Sequence, residues 1–373
     1  MSTKDKNTKA ILSVTNDIET DRRVHKIALA LMEMGYEVTI VGRKRPWSNN
    51  IDRPYKTHRF KLIFSKKMWF YAEFNIRLFF YLLFHKADVL VANDLDTLLP
   101  NYLISKFKNK PLVYDSHEYF TEVPELIQRP RIRRVWLTIE RWIFPKLKHV
   151  YTVNQSIAEI YRNLYKVNVK VVRNINPKVG LSFKSEIIEP DKKLLIMQGA
   201  GINIDRGAEE LILAMQWVEY AVLYIIGSGD VFESLKDLVT ANQLENKVKI
   251  LDRMPYQELM QYTQQAYLGF SLDKGSNPNY ELSLPNKLFD YIHAGTPIIC
   301  SNRKEVASLV KKYDIGLIID YVDSKIIANA INKCISDENT HKSWCSNIVK
   351  ASKELSWENE KENLFRVYSN IIK

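Results

Sequence analysis

From the start of the chain, short apolar runs alternate with stretches whose apolar residues recur at helical spacing. Residues 10–14 and 37–41 are short apolar runs typical of buried strands, and residues 24–34 between them carry apolar side chains at helical spacing. This order predicts a strand–helix–strand unit whose first loop lies where doubly wound sheets bind their ligands. The loop lacks the glycine-rich dinucleotide fingerprint, so the pattern does not indicate NAD.

Similar runs recur along both halves of the sequence. Further strands are predicted at residues 88–92, 112–114, 150–153, 169–172, 194–197, 221–226, 248–250, 267–272 and 298–300, and further helices at 208–217, 324–336 and 359–372. The polar stretch 173–191 between the two sets of strands is typical of a linker. A chain of 373 residues is long enough for two domains of ordinary size, so we expect a two-domain α/β protein.

Composition and charge narrow the possible partners. The chain is 46% hydrophobic and 26% charged, as soluble globular proteins are. A formal net charge of +11 indicates an anionic partner, which charge alone leaves open among a nucleotide, a phospholipid surface and a nucleic acid. No RNA-binding signature such as an RRM or KH loop is visible, so we do not predict nucleic acid.

The cysteines and the N-terminus point to the cytoplasm. Cys300, Cys334 and Cys345 are few, odd in number and without metal-ligand or redox spacing, which favours a reducing compartment. Residues 1–9 are polar and lysine-rich and are followed at once by a strand rather than by the apolar region of a signal peptide. We therefore expect a cytoplasmic protein.

Two segments mix basic and aromatic residues. In residues 56–86 the longest apolar run, 78–84, is too short to span a bilayer. An amphipathic helix resting on an anionic leaflet and a helix packed on the sheet are both compatible with this pattern, and one helix can do both. Residues 129–148 leave a similar choice between a solvated helix face and a surface for phospholipid or a polyprenyl diphosphate.

The stretch 282–300, LSLPNKLFDYIHAGTPIIC, predicts a loop, a short helix and a strand. Pro285 suits the first helical turn and Gly295 the exit, with an apolar stripe at Leu284, Leu288 and Ile292.

On another face of the same helix, Lys287 and Asp290 lie three residues apart near the N-terminal end. A cation, a carboxylate and unpaired backbone N–H groups at the positive end of the helix dipole can hold a phosphate and sugar hydroxyls. An ordinary amphipathic helix with an exposed Lys/Asp pair explains the spacing equally well.

Polar residues follow several predicted strands. The segment 115–118, Asp-Ser-His-Glu, follows one strand and so projects into the expected crevice. Asp94 and Asp96 follow another, but a pair spaced two apart is too common for us to predict a metal site. Glycines at 199, 201 and 229 let backbone N–H groups approach a diphosphate, to which Arg206 would add charge-assisted hydrogen bonds; tight turns are the alternative.

The segment 285–291, PNKLFDY, followed by Ala-Gly-Thr-Pro at 294–297, resembles the donor-binding segment of family 4 of the retaining GT-B glycosyltransferases. The opening helix at 21–31, the segment 115–118, the Arg206-Gly207 pair and Ser356-Trp357-Glu358 before the last helix resemble the same family in the same order. The resemblance implies an α/β fold of GT-B type, with two Rossmann-like domains facing across a cleft. The expected parts are an acceptor-binding domain at 1–175, a nucleotide-sugar-binding domain at 190–355 and a terminal helix, 356–373, that crosses back.

The resemblance also implies roles for individual residues. Asp290 would hold the ribose where the family usually has Glu, while the family's first acidic position falls on Leu282, with Glu281 nearest. Arg206 would neutralise the leaving diphosphate, and Lys287 is our choice for the second cation because Ala200 stands where the family has a basic residue.

For the rest of the site, the family places His117 beside the transferred sugar, and residues 94–97 would cap the next helix without metal. The expected donor-binding residues are Gly199, Gly201, Gly229, Met254, Glu281, Ser283, Leu284, Pro285, Asn286 and Asp290, and those on the acceptor side are Asn16, Arg23 and Glu118. For Arg23, a solvated basic helix start is the alternative. We expect neither metal nor cofactor.

The implied reaction is transfer of a sugar, with retention, from a UDP- or GDP-linked donor to a glycan or polyprenyl-diphosphate-linked acceptor in surface polysaccharide or glycoconjugate synthesis. An anionic membrane surface is a further expected partner, with the enzyme peripheral on its inner face. Two alternatives stay open, a GT-B-like nucleotide-sugar 2-epimerase and a non-catalytic basic protein that binds lipid or RNA.

Overall fold

The computed structural model describes residues 8–178, 188–189 and 191–371. The chain divides into two compact units. The first reaches Asn174 and includes the chain from Lys361 onward, and the second comprises Ile175–Glu360. Part of the predicted linker, 173–191, lies outside the described residues.

A seven-stranded parallel sheet forms the first unit, in the order β3-β2-β1-β4-β5-β6-β7. The register is set by buried strands such as β1, where Ser13 lies beside Val41 on one side and Ala92 on the other. The strands are β1 Lys9–Asp17, β2 Glu37–Lys44, β3 Lys56–Lys61, β4 Val89–Asn93, β5 Leu112–Ser116, β6 His149–Thr152 and β7 Val169–Val171.

Right-handed crossovers in this strand order put α1 on one face of the sheet and α2, α3, α5 and α6 on the other. In agreement, α2 packs against α3, and α3 against α5. The helices are α1 Arg22–Glu33, α2 Lys67–Phe84, α3 Leu95–Lys108, α4 Pro124–Ile127, α5 Pro130–Ile143 and α6 Gln155–Tyr165, with 3₁₀ turns at Phe120–Glu122 and Phe144–Lys146.

The basic and aromatic segment 56–86 divides into an edge strand, β3, and the helix α2. On α2 the residues spaced four apart, Phe70, Phe74, Leu78 and Leu82, are buried. The interpretation of a helix packed into the fold is therefore right for this face. A second face stays exposed. Within the described residues, the structure contains no helix that is long and apolar enough to cross a bilayer.

The second unit holds a six-stranded parallel sheet in the order β10-β9-β8-β11-β12-β13. Its strands are β8 Lys193–Gly199, β9 Ala221–Gly227, β10 Val248–Asp252, β11 Leu268–Ser271, β12 Ile298–Ser301 and β13 Gly316–Ile319. Side chains alternate along β8 between two cores, since Leu195 and Met197 belong to one cluster and Leu194 and Ile196 to the other. Both faces of the sheet are thus covered, as parallel sheets require.

Helices cover this second sheet on both sides. They are α7 Ala208–Ala214, α8 Phe232–Ala241, α9 Tyr256–Gln265, α10 Pro278–Glu281, α11 Asn286–Ala294, α12 Lys304–Tyr313, α13 Ser324–Ser336 and α14 Glu338–Glu354, with a 3₁₀ turn at Met215–Trp217; the last helix, α15, is Trp357–Tyr368. From Lys361 onward, α15 belongs to the first unit.

Candidate functional site

Arg206 precedes α7 and is fixed by two groups of the second unit. Its Nη1 lies 2.5 Å from Oδ2 of Asp273, and its guanidinium carbon lies 4.0 Å from the ring centroid of Tyr280. Asp273 follows β11 at the carboxyl edge of the sheet and is buried. The arginine is therefore held by an ion pair and a cation–π contact, with its charge directed to the edge where parallel sheets bind ligands.

Lys287 lies in the first turn of α11, within the field of the same pair. Burial lowers its pKa, Asp273 opposes this and Arg206 adds to it. Arg206 and Lys287 therefore share one electrostatic environment, around Asp273. Pro285 is the N-cap residue, one position before the first helical turn in which it was predicted. Gly295 ends the helix in a left-handed conformation at φ +82°, as predicted.

Of the predicted donor-binding residues at the end of α10 and after it, Ser283 contacts this cluster. Ser283 Oγ donates to Asp273 Oδ2 at 3.1 Å, and Glu281 forms an ion pair with Arg303. Asn286 is exposed at the start of α11, and Leu284 is buried in the core as the predicted stripe requires. Met254 packs partly buried against the same core cluster.

Asp290 is buried and accepts hydrogen bonds from three side chains. Only 6% of it is exposed. Its Oδ1 accepts hydrogen bonds from Tyr256 Oη at 2.7 Å and Asn176 Nδ2 at 3.0 Å, and its Oδ2 accepts one from Gln198 Nε2 at 3.2 Å. Both carboxylate oxygens are therefore engaged by side chains of the second unit, and the convergence of this carboxylate with Lys287 stays a prediction. The role of Asp290 as ribose ligand stays a prediction.

The glycines predicted to approach a diphosphate fall into two groups. A methyl group added at Gly201 would meet nothing closer than Asn203 Nδ2 at 3.8 Å, and one at Gly199 would lie 3.6 Å from Ile202. At Gly229 the added atom would come within 1.9 Å of the carbonyl oxygen of Ile202. Gly199 and Gly201 thus have room for a methyl group, whereas Gly229 is required by the packing of two loops.

His117 follows β5 in the first unit and lies between two carboxylates. Its Nδ1 is 3.1 Å from Asp94 Oδ2 and its Nε2 is 3.2 Å from Asp115 Oδ2, while its backbone N–H donates to Asp94 Oδ1 at 2.7 Å. Burial would lower the pKa of His117, but Asp94 and Asp115 outweigh it and raise the pKa well above its usual range. The ring is thus held as a doubly hydrogen-bonded imidazolium.

Asp94 was expected to cap α3, and this prediction is wrong for its side chain. The residue occupies the N-cap position but makes no side-chain hydrogen bond to the helix. Its backbone adopts φ +61°, a region that favours glycine, and its carboxylate faces His117 instead. The side chain of Asp94 therefore contacts His117 in place of the helix.

Arg23 is neither solvated nor free. It is buried, its Nε and Nη2 lie 3.0 and 2.6 Å from the two oxygens of Asp115, and it also donates to the carbonyl oxygen of Val172. Burial raises the pKa of Asp115, but Arg23 and then His117 outweigh it and bring the value to about 2. The alternative of a solvated helix start is thus wrong for Arg23, which contacts Asp115 as His117 does. Its place on the acceptor side stays a prediction.

Of the other acceptor-side residues, Glu118 lies in the electrostatic field of a buried carboxyl group, that of Asp96. Asp96 Oδ2 accepts a hydrogen bond from Thr15 Oγ1 at 2.5 Å, while its buried Oδ1 has no hydrogen-bond partner among the described residues. Burial, and then Asp94, raise the pKa of Asp96 to about 7. Glu118 is half-buried and adds to this field, and exposed Asn16 donates to Asp21.

The structure thus places Arg206 and Lys287 together in the second unit and His117 in the first. Sequence reasoning missed Asp273, which unites the two cations, and the pairing of Asp94 and Asp115 with His117. In residues 8–178, 188–189 and 191–371, no group of three or more His, Cys, Asp or Glu side chains is arranged to hold a metal ion.

Family models match both halves of the chain. The model for glycosyltransferase family 4 matches residues 20–175, and that for glycosyl transferases group 1 matches residues 181–351. The chain therefore belongs to the group 1, family 4 glycosyltransferases and is an enzyme of that class. The alternative of a non-catalytic basic protein is wrong.

Solved structures share this fold over the whole chain. Sucrose-phosphate synthase of Thermosynechococcus elongatus gives a TM-score of 0.81 at 16% identity and covers 98% of this chain and 99% of its own. HepE of Anabaena, in complex with UDP and glucose, gives a TM-score of 0.77 at 15% identity and covers 98% of this chain and 100% of its own. A putative UDP-N-acetylglucosamine 2-epimerase of Listeria monocytogenes gives a TM-score of 0.63 at 12% identity and covers 95% of this chain and 94% of its own.

At these identities the comparison establishes the fold alone, and the predicted α/β fold of GT-B type is confirmed. A search of curated proteins gives no match.

Proposed function

We propose that this glycosyltransferase moves a sugar from a nucleotide diphosphate sugar to a hydroxyl of a glycan or lipid-linked glycan, with retention at the anomeric carbon. The carrying observation is that Arg206 and Lys287 act on one another around Asp273 at the carboxyl edge of the second sheet. Two cations at such an edge suit a diphosphate, whose charge grows as the bond to the sugar breaks. The product would enter surface polysaccharide or glycoconjugate synthesis.

The reaction needs charge stabilisation more than acid–base chemistry. As the anomeric carbon–oxygen bond breaks, its electrons pass to the diphosphate, where Arg206 and Lys287 offset the new charge. The acceptor oxygen bonds to the anomeric carbon and its proton leaves to a diphosphate oxygen. The imidazolium of His117 positions the sugar, and Asp290 binds the ribose after giving up part of its present hydrogen bonding. Arg23, through Asp115, fixes that imidazolium.

Several features support the proposed donor and compartment. The HepE structures contain UDP or UDP-glucose, which makes UDP the first donor nucleotide to test, with GDP as the second. All three cysteines are free thiols, in keeping with a reducing compartment such as the cytoplasm. We propose that no metal or cofactor takes part, as the family resemblance implies, so turnover with a chelator should equal turnover without it.

Thermal shifts with UDP, UDP-glucose and GDP, followed by turnover of the better donor, test this proposal. We expect one nucleotide to raise the melting temperature of the wild type, and Arg206→Ala and Lys287→Ala to remove that shift and to lower turnover about a hundredfold or more. Lys350→Ala, on the exposed side of α14, is the matched control. Wild-type turnover in both site variants would overturn the assignment. The anomer of the product, read by NMR, tests retention.

The 2-epimerase is a second candidate because the putative epimerase from Listeria monocytogenes shares the fold over nearly the whole chain. Incubating the donor without acceptor separates the two functions. An epimerase converts the donor to an isomeric nucleotide sugar, whereas a transferase releases nucleotide diphosphate only as the sugar leaves.

A further inference from the structure

The outer side of α2 and α3 exposes an apolar surface that nothing in the described fold covers. On α2, Ile76, Phe80 and Phe84 are spaced four apart and exposed, Phe84 at 77%. On α3, Leu103 and Phe107 show the same spacing, with Phe107 exposed at 76%. Soluble domains rarely leave such a continuous surface bare. We call these five residues the α2/α3 face.

Between the two helices the α2/α3 face contains a groove. Its volume is about 240 Å³, and its lining is apolar except for Asn75, namely Ile76, Phe79, Phe80, Leu99, Pro100 and Leu103. A groove of this composition suits a hydrocarbon chain, because apolar side chains offer no hydrogen bonds to a polar ligand.

The C-terminal half of α3, which carries Phe107, also borders a basic cavity of about 300 Å³. Four lysines line it, Lys106, Lys110, Lys146 and Lys148. Lys110 is paired with Asp88, but no acidic side chain in the described part of the chain pairs with Lys106 or Lys146. These two lysines instead lie 5.7 and 6.0 Å from the ring centroid of Tyr102.

Lysines at helix C-termini often serve only to balance the helix dipole. Lys108 fits that explanation, since it donates to the carbonyl oxygens of Leu82 and His85 at the end of α2. Lys146 does not. It lies 5.1 Å from the ring centroid of Trp142, which is itself exposed, so it joins a cation to an aromatic side chain at the surface.

Charge selects among the possible occupants of this surface. Residues 56–148, which form α2, α3, α5 and their connections, hold 17 Lys and Arg against nine Asp and Glu, an excess of 8 out of the chain's net charge of +11. Asp94, Asp96 and Asp115 are among those nine acids and lie at the carboxyl edge of the sheet. An anionic partner is favoured over a second copy of this chain, because the copy would bring the same positive charge.

We propose that the α2/α3 face docks on an anionic phospholipid bilayer. Phe84 and Phe107 enter the interface, the groove takes acyl chain, and Lys106 and Lys146 bind lipid phosphate in the basic cavity. Aromatic and basic side chains side by side match the two layers of a bilayer interface, whereas a nucleic acid would use the lysines but not the groove. The inference goes beyond the proposed function, on which it rests only where it concerns delivery of a lipid-linked acceptor.

Flotation of the full chain with vesicles tests the inference. One set contains phosphatidylcholine alone and the other phosphatidylcholine with phosphatidylglycerol. The wild type should float with the second set far more than with the first. Lys106→Glu and Lys146→Glu should each weaken vesicle binding at least about fivefold relative to the wild type. The double variant F84S/F107S should remove most of the binding.

Matched controls make a negative result informative. Lys350→Glu with Lys353→Glu reverses two exposed lysines on α14, and Tyr321→Ser removes an exposed aromatic ring; all should float like the wild type. Equal flotation of the site variants and controls would overturn the inference, as would a wild type that ignores phosphatidylglycerol. RNA binding that the lysine reversals abolish, without flotation, would also overturn it. A retained thermal shift with nucleotide in each variant separates failure of the docking surface from failure of the proposed function.

Discussion

Arg206 Nη1 lies 2.5 Å from Asp273 Oδ2, and the same carboxylate acts on Lys287. The two cations assigned to the leaving diphosphate are thus gathered around one buried acid. Without that acid, two like charges would repel each other at the edge of the sheet. We therefore propose that Asp273 positions Arg206 and Lys287.

We expect Asp273→Ala to lower turnover by releasing Arg206, and the loss to be non-additive with Arg206→Ala. A double-mutant cycle on turnover should give a coupling of about 1.5–3 kcal/mol, as for a hydrogen bond between charged groups. The exposed pair Lys342 and Glu338 on α14 is the control, and its cycle should give none. Additive losses at Arg206 and Asp273 would refute the positioning role.

The raised pKa of His117 predicts a pH-dependent stability. Because Asp94 and Asp115 hold the pKa above its unfolded value of about 6.5, the contacts contribute fully below that pH and are lost as pH rises through the folded pKa. The free energy of unfolding of the wild type should exceed that of His117→Gln most at about pH 5, with the difference shrinking toward about pH 9. Urea denaturation across this range measures it.

His149 supplies a control of opposite sign for this pH trend. Burial, and then Lys148, lower the pKa of His149, so its neutral form is favoured and any contribution is lost as pH falls. A His117→Gln difference that does not change with pH would contradict the imidazolium assignment.

Asp290 has two possible roles, and its variants separate them. Asp290→Ala removes the buried acceptor of three hydrogen bonds, from Asn176, Gln198 and Tyr256, and should lower the free energy of unfolding by about 3 kcal/mol. Asp290→Asn keeps an acceptor oxygen and should largely keep the fold. If Asp290 also binds the ribose, Asp290→Asn should weaken nucleotide affinity in calorimetric titration.

Asp237→Ala, on the exposed side of α8, is the control and should change stability by less than about 0.5 kcal/mol. Wild-type nucleotide affinity in Asp290→Asn would leave Asp290 as a structural residue only.

Gly201 and Gly229 should respond oppositely to alanine. At Gly201 there is room for a methyl group in the free protein, so Gly201→Ala should keep the melting temperature and weaken nucleotide binding where a diphosphate approaches the backbone. Gly229→Ala forces a carbon against the carbonyl oxygen of Ile202 and should lower the melting temperature strongly. Thermal melts with and without UDP measure both. Unchanged UDP affinity in Gly201→Ala would remove this loop from the donor site.

The alternating apolar runs were enough to predict most strands and the βαβ order, because parallel strands buried on both faces leave a continuous apolar signal. They did not predict β3, because this edge strand, KTHRFK, is polar at most positions. Helix α14 was missed as well, since its buried residues Trp344, Ile348 and Ala351 lie within a mostly polar stretch.

Within the site, local signals predicted single residues but not their partners. The pairing of Arg23 with Asp115 joins residues 92 apart in sequence, and no local spacing encodes it. Asp273 carried a weak signal, because it follows a predicted strand as the segment 115–118 does. A carboxylate at the end of a parallel strand is thus a candidate site residue even without a motif around it.

Helix α3 has acidic side chains at its start and, at its end, residues of the basic cavity and of the α2/α3 face. Asp94 and Asp96 lie at its start, Lys106 and Phe107 in its last turn, and its 14 residues measure about 21 Å. The length of the helix therefore sets the distance between these two ends. An acceptor anchored in lipid at the far end must already carry enough sugar to span that length, so we expect such an enzyme to extend long glycans rather than to begin new ones.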